Sequence, residues 1–356
     1  MDKLAHSIEG SLLGLMAGDS IGLPYEGLST QRTSKMMPTA LNQQLIFGKG
    51  MVSDDTEHAV MTAASLAATW GKPSAFQANL AWRLRWWLFR LPAGIGLATG
   101  RSILKLWLGV PRKYAGVYSA GNGPCMRAPI IGVCLGNNKA LMAQVLKQST
   151  YLTHTDPKAQ VCALAVALAA FISSRQNNIS ITEYREELSL LLVDEPSDAV
   201  KEFEGLLDII EHHVTIGDDE SFLKAIGQPK GVSGYSYHTI PAVLYLWFRH
   251  HQHYAKAIEN IIRFGGDTDT TAAILGGIIG ARGNIEEIPK RWLDDILDWP
   301  ITHRYITTLS NQLHQSIIEE SSQRIFSITG PLVFLRNMVF LSIVLGHGFR
   351  RLLPPY

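Results

Sequence analysis

Two short acidic clusters are the parts of this sequence best suited to chemistry. They read Ser53-Asp54-Asp55-Thr56 and Asp267-Thr268-Asp269-Thr270, and each directly precedes a segment of helical periodicity. One Ser, Thr or Asp at a helix start is explained by N-capping, because its side chain accepts hydrogen bonds from the free N–H groups of the first turn. Each cluster has more oxygen atoms than capping requires. This excess indicates a functional site built from both clusters.

The carboxylates of Asp54, Asp55, Asp267 and Asp269 would repel one another at close range, and some would have to be protonated. Divalent cations between them remove that conflict. Oxygen ligands without His or Cys favour magnesium, calcium or manganese over zinc. Two ions roughly 3.5–4 Å apart suit this number of ligands. The clusters therefore predict a dinuclear metal site of hard oxygen donors.

Three other features could contribute to a site next to these clusters. Glu26 lies in a loop after the first helix, which we expect to end at Gly18-Asp19, with Asp19 as a structural cap or an outer group of the site. The loop Ser119-Ala120-Gly121-Asn122-Gly123 has backbone N–H groups that could hold an anion, although a plain turn also explains it. His154 taken alone is typical of a capping or core histidine.

The elements that must position these residues are predicted to be helices. Apolar residues recur at intervals of three and four along most of the chain, and few segments alternate apolar with polar residues. The pattern predicts an all-α, single-domain bundle with the metal site at its centre. The predicted helical segments are 7–17, 57–70, 74–88, 139–150, 158–174, 181–193, 199–214, 239–250, 253–263, 271–283 and 306–321.

Small residues on two of these segments predict a close helix contact. One face of the first segment has Gly10, Gly14 and Ala17. One face of the segment at 271–283 has Ala273, Gly277 and Gly280. Glycine inside a helix costs about 1 kcal/mol relative to alanine. Close approach of the two backbones is the expected compensation. It would place the helices that adjoin the acidic clusters at the centre of the fold.

Composition bounds the class of protein and its partners. The 356 residues include 32 Lys plus Arg and 31 Asp plus Glu, and a formal charge of +1 predicts no nucleic-acid partner. The hydrophobic fraction of 46% excludes a disordered chain. The 3 cysteines form neither a disulfide framework nor a zinc pattern, and the N-terminus lacks the apolar region of a signal peptide. We therefore expect a cytoplasmic protein.

The most apolar stretch, 325–345, is long enough to span a bilayer. However, Arg336 and Asn337 lie at its middle, where charge is costly, and Gly330-Pro331 interrupts it. We expect the helix at 332–345 to be buried on several sides, docked on the bundle or against a second subunit and away from the acidic cleft. A surface-lying helix and a membrane span are the alternatives. The predicted domain boundaries are 1–322 for the main domain and 323–356 for a C-terminal apolar extension.

A set of ordered motifs resembles a known family. The motifs are GLMAGDSIGLPYE, SDDTE, AGNGPCMRAP, THTDP, GYSYHTIPA and GGDTDTTAAILGGIIGA. From about residue 10 to residue 292, the sequence is similar to the ADP-ribosylglycohydrolase family. The resemblance implies an orthogonal all-α bundle that holds two magnesium ions, with manganese as an alternative. It also implies hydrolysis of the glycosidic bond between ADP-ribose and a modified acceptor.

The resemblance also implies roles for individual residues. Metal ligation is implied for the oxygen-rich clusters, namely for Ser53, Asp54, Asp55, Asp267, Asp269 and Thr270. A catalytic role in proton transfer is implied for Glu26 or Asp55, and the general acid is not assigned between them. Substrate binding is implied for two glycine loops and a histidine, namely Gly94, Gly96, Ser119, Gly121, Asn122, Gly123 and His154. Some bacterial relatives have a ribose-contacting aspartate near the Gly94 turn, and this sequence has none there.

The expected function is that of a metal-dependent hydrolase which removes ADP-ribose from an acceptor, with arginine favoured. The expected partner is an ADP-ribosylated protein or a small ADP-ribosyl substrate, and the C-terminal apolar helix could mediate self-association or a partner contact. Three alternatives stay open at this point. They are a catalytically silent ADP-ribose-binding protein, a toxin-neutralising interaction protein of the same fold, and a magnesium hydrolase that acts on phosphate esters.

Overall fold

The computed structural model describes residues 2–325, 330–351 and 353. Across these residues the chain forms α-helices and short 3-10 turns joined by loops, with no β-strand, which confirms the predicted all-α fold. In chain order the helices are α1 (Lys3–Gly22), α2 (Thr30–Met36), α3 (Asp54–Ala68), α4 (Pro73–Phe89), α5 (Leu97–Trp107), α6 (Arg112–Ala115), α7 (Ala128–Leu135), α8 (Lys139–Tyr151), α9 (Pro157–Arg175), α10 (Ile181–Leu191), α11 (Ser197–Ile216), α12 (Asp219–Ala225), α13 (Ser236–His250), α14 (Tyr254–Arg263), α15 (Thr268–Gly280), α16 (Lys290–Asp294), α17 (His303–Ile318) and α18 (Gly330–Arg351).

Helices α1 and α15 form the central pair of the bundle, and they make the most extensive helix contact in the described chain. A methyl group on Gly14 would overlap the carbonyl oxygen of Gly276, so the two backbones touch without side chains between them. Gly276 and Gly280 supply the contact face of α15, whereas Gly277 lies against Pro129. The close approach was therefore predicted correctly. Gly277 also contacts α1, because its carbonyl oxygen accepts a hydrogen bond from Ser11 Oγ at 2.9 Å and it lies beside Leu15.

We expect Gly14→Ala to lower the free energy of unfolding by about 1–3 kcal/mol, the usual cost of overpacking a core. The added methyl group would overlap a backbone carbonyl, which cannot move unless α1 separates from α15. This cost exceeds the gain of up to about 1 kcal/mol in helix propensity. Urea denaturation followed by circular dichroism measures the change.

Gly205→Ala is the matched control for this variant. Gly205 also lies inside a helix, α11, but a methyl group there would meet no described atom within 4 Å. We expect the control to raise the free energy of unfolding by up to about 1 kcal/mol. Equal destabilisation of both variants would contradict the packing explanation.

The acidic clusters begin α3 and α15, and α1 brings Glu26 to the same place. Ser53 is the N-cap of α3, and its Oγ accepts a hydrogen bond from the Asp55 N–H at 3.3 Å. We expected helix α1 to end at Gly18-Asp19, but it continues to Gly22. A 3-10 turn at Leu23–Tyr25 then leads to Glu26. The expected end was wrong because Gly18 and Gly22 pack against the backbone of α15 and do not terminate the helix.

Helix α18 is the predicted C-terminal helix, and only one of its faces packs on the bundle. Val333, Arg336, Asn337 and Phe340 are buried, while the opposite face is exposed. The prediction of burial on several sides is therefore wrong, because the apolar residues on the outer side have no cover in the described chain. Residues 326–329, 352 and 354–356 of the predicted extension lie outside the described residues, and the boundary at 322/323 stays a prediction.

Two helices of the described chain are long and apolar enough to cross a membrane. The segment Pro157–Arg175 is 83% buried and forms part of the core. The segment Gly330–Phe349 is 22% buried and lies on the surface. A core helix of a soluble protein can be as long and as apolar as a membrane span, which explains the first segment. The second segment is mostly exposed, so its apolar composition needs another explanation.

Candidate active site

The candidate site is a cleft of about 410 Å³ between the acidic clusters and the glycine loops. Every predicted site residue except Asp55 lines this cleft. The lining residues from the prediction are Glu26, Ser53, Asp54, Gly94, Gly96, Ser119, Gly121, Asn122, Gly123, His154, Asp267, Asp269 and Thr270. The fold therefore brings these distant segments, the acidic residues and the glycine loop at 119–123, to one cavity.

Asp55 lies directly behind the lining and links the two acidic clusters. Its Oδ2 accepts hydrogen bonds from Ser53 Oγ and Thr270 Oγ1, each at 3.1 Å. Its Oδ1 is buried and has no hydrogen-bond partner among the described residues. A buried carboxylate oxygen without a donor is costly, because it has lost its hydration without compensation. A bound cation would supply that compensation.

Asp19 supports the start of α3. Its carboxylate accepts hydrogen bonds from the N–H groups of Ser53 at 3.0 Å and Thr56 at 3.1 Å, and from the Thr56 hydroxyl at 2.5 Å. Oxygen atoms of Asp19, Asp55 and Asp269 all lie within 4.8 Å of one another. Because Asp19 accepts these hydrogen bonds, it holds the first turn of α3, whose N-cap is Ser53, and keeps the first acidic cluster in place.

The carboxylates of this site repel one another. Burial, reinforced by the neighbouring carboxylates, raises the pKa of Asp54, Asp55 and Asp269 well above the ordinary value. Burial also raises the pKa of Asp19 to about 6, although hydrogen bonds from Thr56 and Ser53 oppose the shift. A divalent cation would stabilise the charged forms. The hard oxygen donors, the unpartnered Asp55 oxygen and the repulsion together fit a site for a divalent cation that prefers oxygen ligands.

The glycine loop at 119–123 is tied to the second acidic cluster. Asn122 Nδ2 donates to Asp267 Oδ2 at 2.6 Å and to Thr239 Oγ1 at 3.0 Å. The Asn122 backbone N–H donates to the carbonyl oxygen of Gly234 at 3.0 Å. The Asn122 side chain therefore orients Asp267, while the backbone of the loop lines the cleft.

A buried arginine lies behind the glycine loop, and no sequence pattern marked it as part of the site. Arg127 donates to the carbonyl oxygen of Ser149 at 3.0 Å and to Thr153 Oγ1 at 2.8 Å, which fixes its charge. Burial and the nearby Arg127 lower the pKa of His154 to about 3, so the imidazole is neutral at physiological pH. A fixed positive charge beside a neutral hydrogen-bonding ring favours an anion at this end of the cleft.

Helix α18 forms one wall of the cleft. Phe340 and Val344 line the cavity together with Leu23 and Ala93. The prediction that the C-terminal helix lies away from the acidic cleft is therefore wrong. The physical reason is apolar burial, since Phe340 is only 2% exposed once it packs against Leu23 and Ala93. Position in the chain gave no signal for this contact.

Arg336 fastens α18 to the start of the first acidic cluster. Its guanidinium lies 3.2 Å from Glu57 Oε1 and donates from Nε to Asp298 Oδ1 at 3.1 Å. It also donates to the carbonyl oxygen of Val52, the residue before Ser53, at 2.7 Å. Asp298 in turn accepts a hydrogen bond from the Val52 N–H at 2.9 Å. Arg336 therefore holds the peptide that leads into the acidic cluster, a function the sequence did not reveal.

Comparisons with known proteins agree with this geometry. The family described as ADP-ribosylglycohydrolase matches residues 1–323. The chain is 29% identical over 317 residues to an uncharacterized protein of Archaeoglobus fulgidus, covering 86% of this chain and 97% of that protein. It is 25% identical over 295 residues to the ADP-ribosyl-[dinitrogen reductase] glycohydrolase of Rhodospirillum rubrum, covering 81% of this chain and 89% of that protein.

A solved structure described as an ADP-ribosylglycohydrolase-related protein complex has the same fold. The TM-score is 0.66 at 23% identity, with 88% of this chain and 99% of that chain covered. Because the family match spans residues 1–323, this chain belongs to the ADP-ribosylglycohydrolase family. It is accordingly a glycosidic-bond hydrolase that acts on ADP-ribosylated substrates. The resemblance found in the motifs is thereby confirmed.

Proposed function

We propose that this protein is a metal-dependent hydrolase that releases ADP-ribose from a modified protein side chain, with arginine as the acceptor. The observation that carries the proposal is the cleft, in which an oxygen-rich acidic end meets a glycine loop beside a buried positive charge. The two ends match the two parts of the substrate. Ribose hydroxyls suit a hard-cation site, and a diphosphate suits the side of the cleft beside the buried positive charge of Arg127.

The residues that would hold two magnesium ions, or manganese ions in their place, are Ser53, Asp54, Asp55, Asp267, Asp269 and Thr270. When bound, these ions would polarise ribose hydroxyls and lower the pKa of bound water. Hydrogen bonds within the protein orient the ligand side chains before a metal ion binds. The Ser53 and Thr270 hydroxyls orient the Asp55 carboxylate, and the Asn122 amide orients Asp267.

Glu26 is the residue that we assign to proton transfer. It lines the cleft, and its charge acts on Asp54 and Asp269, whereas Asp55 lies behind the lining with two hydroxyl donors on its Oδ2. In the hydrolysis, the water oxygen bonds to the anomeric carbon, and the bond to the acceptor breaks with its electron pair on the acceptor atom. Glu26 as a carboxylate accepts the proton that the water loses.

The charge of the cleft supports arginine as the acceptor. Glu26 lines the cleft outside the set of metal ligands, and its carboxylate complements a guanidinium cation. Phe340 and Val344 offer an apolar wall for the aliphatic part of an arginine side chain. The Rhodospirillum rubrum relative, by its name, acts on a modified protein, the dinitrogen reductase. That name supports a protein acceptor here as well.

A panel of ADP-ribosylated acceptors tests this proposal. ADP-ribosyl-arginine, ADP-ribosyl-serine, an ADP-ribosylated nucleic-acid end and O-acetyl-ADP-ribose would each be incubated with magnesium, with manganese and with excess chelator. We expect release of ADP-ribose to be fastest from arginine and to stop reversibly in chelator. Release of phosphate without ADP-ribose would instead identify a phosphate-ester hydrolase. Binding of ADP-ribose without release from any acceptor would identify a silent binding protein.

We expect Glu26→Gln to reduce turnover by roughly 10²–10⁴-fold, the usual share of general acid–base catalysis. The amide keeps the size of the side chain but cannot accept the proton. Binding of ADP-ribose and of metal, measured by calorimetry, should change little.

Glu186→Gln, on the exposed surface of α10, is the control and should keep full turnover. Unchanged turnover in Glu26→Gln would assign Glu26 a structural role. Loss of metal binding in that variant would show that Glu26 is a ligand and not the proton acceptor.

A further inference from the structure

The outer face of α18 is apolar and exposed. Within residues 330–349 the only Lys, Arg, Asp or Glu is Arg336, and it is buried in ion pairs. Leu332, Leu335 and Leu345 are 49%, 61% and 55% exposed. The outer face of this segment therefore presents apolar side chains without charge. Exposed apolar surface of this extent marks an interaction site.

Apolar surface continues on the flank of α18 that faces α4 and α5. Asn337 Nδ2 donates to the carbonyl oxygen of Arg90 at 2.8 Å, which ties α18 to the loop after α4. Beside this loop, Phe89 and Trp107 border a groove of about 750 Å³. The Trp86 ring contacts Phe89 and Trp107 edge to face, with centroids 5.6 and 5.8 Å away, and all three side chains are exposed.

Apolar surface also continues on the other flank. Leu297 and Trp299 line a groove of about 370 Å³ together with Leu335, and they are 59% and 41% exposed. We refer to residues 82–108, residues 297–299 and the outer face of α18 as the docking face. It combines leucine side chains with exposed tryptophans, the residues that prefer a membrane–water interface.

The segment that contains α4 and α5 is rich in basic residues, although the whole chain is almost neutral. Residues 58–155 contain 11 Lys or Arg and no Asp or Glu. The other 21 Lys or Arg, 32 less these 11, accompany all 31 Asp and Glu. Arg101 lies in the groove beside Phe89 and Trp107, and Lys113 is exposed after α5. Basic residues therefore border the apolar docking face on the side of α4 and α5.

We propose that the docking face binds the surface of an anionic lipid bilayer, with the protein lying on the membrane and not spanning it. Basic residues around inserted leucine and tryptophan side chains complement anionic headgroups. A span is disfavoured because Arg336 and Asn337 are bonded into the protein, to Glu57, Asp298 and the Arg90 carbonyl. A second copy is disfavoured because a symmetric dimer through this face would bring two basic surfaces together.

Membrane docking would also fix the position of the active site relative to the bilayer surface. Gly96 and Leu97 line both the candidate cleft and the groove beside Trp107. A membrane bound at the docking face therefore lies at the edge of the cleft. The enzyme would then act on ADP-ribosylated acceptors held close to the lipid surface.

Sedimentation with vesicles tests the proposal on the full-length protein. Vesicles of phosphatidylcholine alone would be compared with vesicles that also contain phosphatidylserine, at low and high salt. We expect binding to the anionic vesicles, and at least about tenfold weaker binding to neutral vesicles or at high salt. Leu335→Asp combined with Leu345→Asp should lose binding about tenfold or more, and so should Arg101→Glu combined with Lys113→Glu. Hydrolysis of a soluble substrate should be unchanged in both variants.

Matched controls carry the same substitutions on surfaces away from the docking face. Leu190→Asp combined with Val193→Asp changes two exposed apolar residues, and Lys201→Glu combined with Lys256→Glu changes two exposed lysines. Both controls should bind vesicles as the unmodified protein does. Equal binding to both vesicle types would overturn the role of charge, and absence of binding to either would overturn the proposal. Light scattering that shows a dimer, which the Leu335→Asp substitution dissociates, would also overturn the proposal. Binding of single-stranded nucleic acid without binding of vesicles would overturn it as well.

Discussion

Asp55→Asn is expected to lower turnover by at least about 10³-fold while the helical fold is kept. If Asp55 holds a metal ion, its loss would remove several kcal/mol of charge stabilisation in the transition state, and each 1.4 kcal/mol corresponds to a tenfold change in rate. The buried Asp55 oxygen without a partner is the position that a cation would use. Release of ADP-ribose measures turnover, and circular dichroism measures the fold. Replacement of Asp54, Asp267 or Asp269 should cause losses of similar size.

Thermal unfolding separates a lost metal ligand from a damaged fold. Without metal, Asp55→Asn should be at least as stable as the unmodified protein, because it removes a charge from a buried, mutually repelling group. Added magnesium should raise the melting temperature of the unmodified protein by mass action but not that of the variant. Asp208→Asn, at an exposed ion pair with Arg185, should respond to magnesium normally. Full turnover in excess chelator would refute the metal-dependent mechanism.

Arg336→Met is expected to lower the free energy of unfolding by about 3–5 kcal/mol, the cost of leaving buried partner charges unpaired. Arg336 is buried with Glu57 and Asp298, whose side chains are 9% and 1% exposed. The variant also loses the hydrogen bond to the Val52 carbonyl, which precedes the first acidic cluster. We therefore expect weaker metal binding as well as lower stability. Urea denaturation and calorimetric metal titration measure the two effects.

A triple variant tests whether the unpaired charges cause this loss. Glu57→Gln, Asp298→Asn and Arg336→Met together remove all the charges of the network, and stability should recover by more than half of the loss in Arg336→Met. Arg304→Met, on the exposed side of α17, should change stability by less than about 0.5 kcal/mol. A loss below about 1 kcal/mol in Arg336→Met would show that α18 contributes little to the fold.

The long helices were predictable because hydrophobic periodicity is a local property of the chain. The predicted segments correspond to α1, α3, α4, α8, α9, α10, α11, α13, α14, α15 and α17. Helix α7 was missed because it is buried on all sides and has no polar face to reveal its period. Helix α5 was missed although its sequence is amphipathic, with Thr99, Ile103 and Leu106 on one buried face. The burial of α7 on every side is a consequence of the tertiary fold, so no local sequence pattern predicts it.

The acidic clusters and glycine loops of the site were predictable as well, because their chemistry depends on residue types at fixed spacing. What could not be predicted is which atoms each one meets. Asp55 lies behind the cleft, Asn122 is bonded to Asp267, and Arg127 lies behind the glycine loop. These contacts join residues far apart in the chain. No pattern in a single sequence shows that two such distant residues will be in contact.

The sequence by itself determined the all-α fold, the family and the residues that gather at the cleft. Helical periodicity and ordered motifs depend only on residues that are close together in the chain. Only the tertiary structure decided where α18 lies. Its apolar residues surround the helix, so hydrophobicity alone does not select the packed face. That face is selected by Arg336, which meets Glu57 and Asp298, and by Phe340, which fills the cleft wall. A buried charge needs partners in three dimensions, and those partners exist only once the bundle has formed.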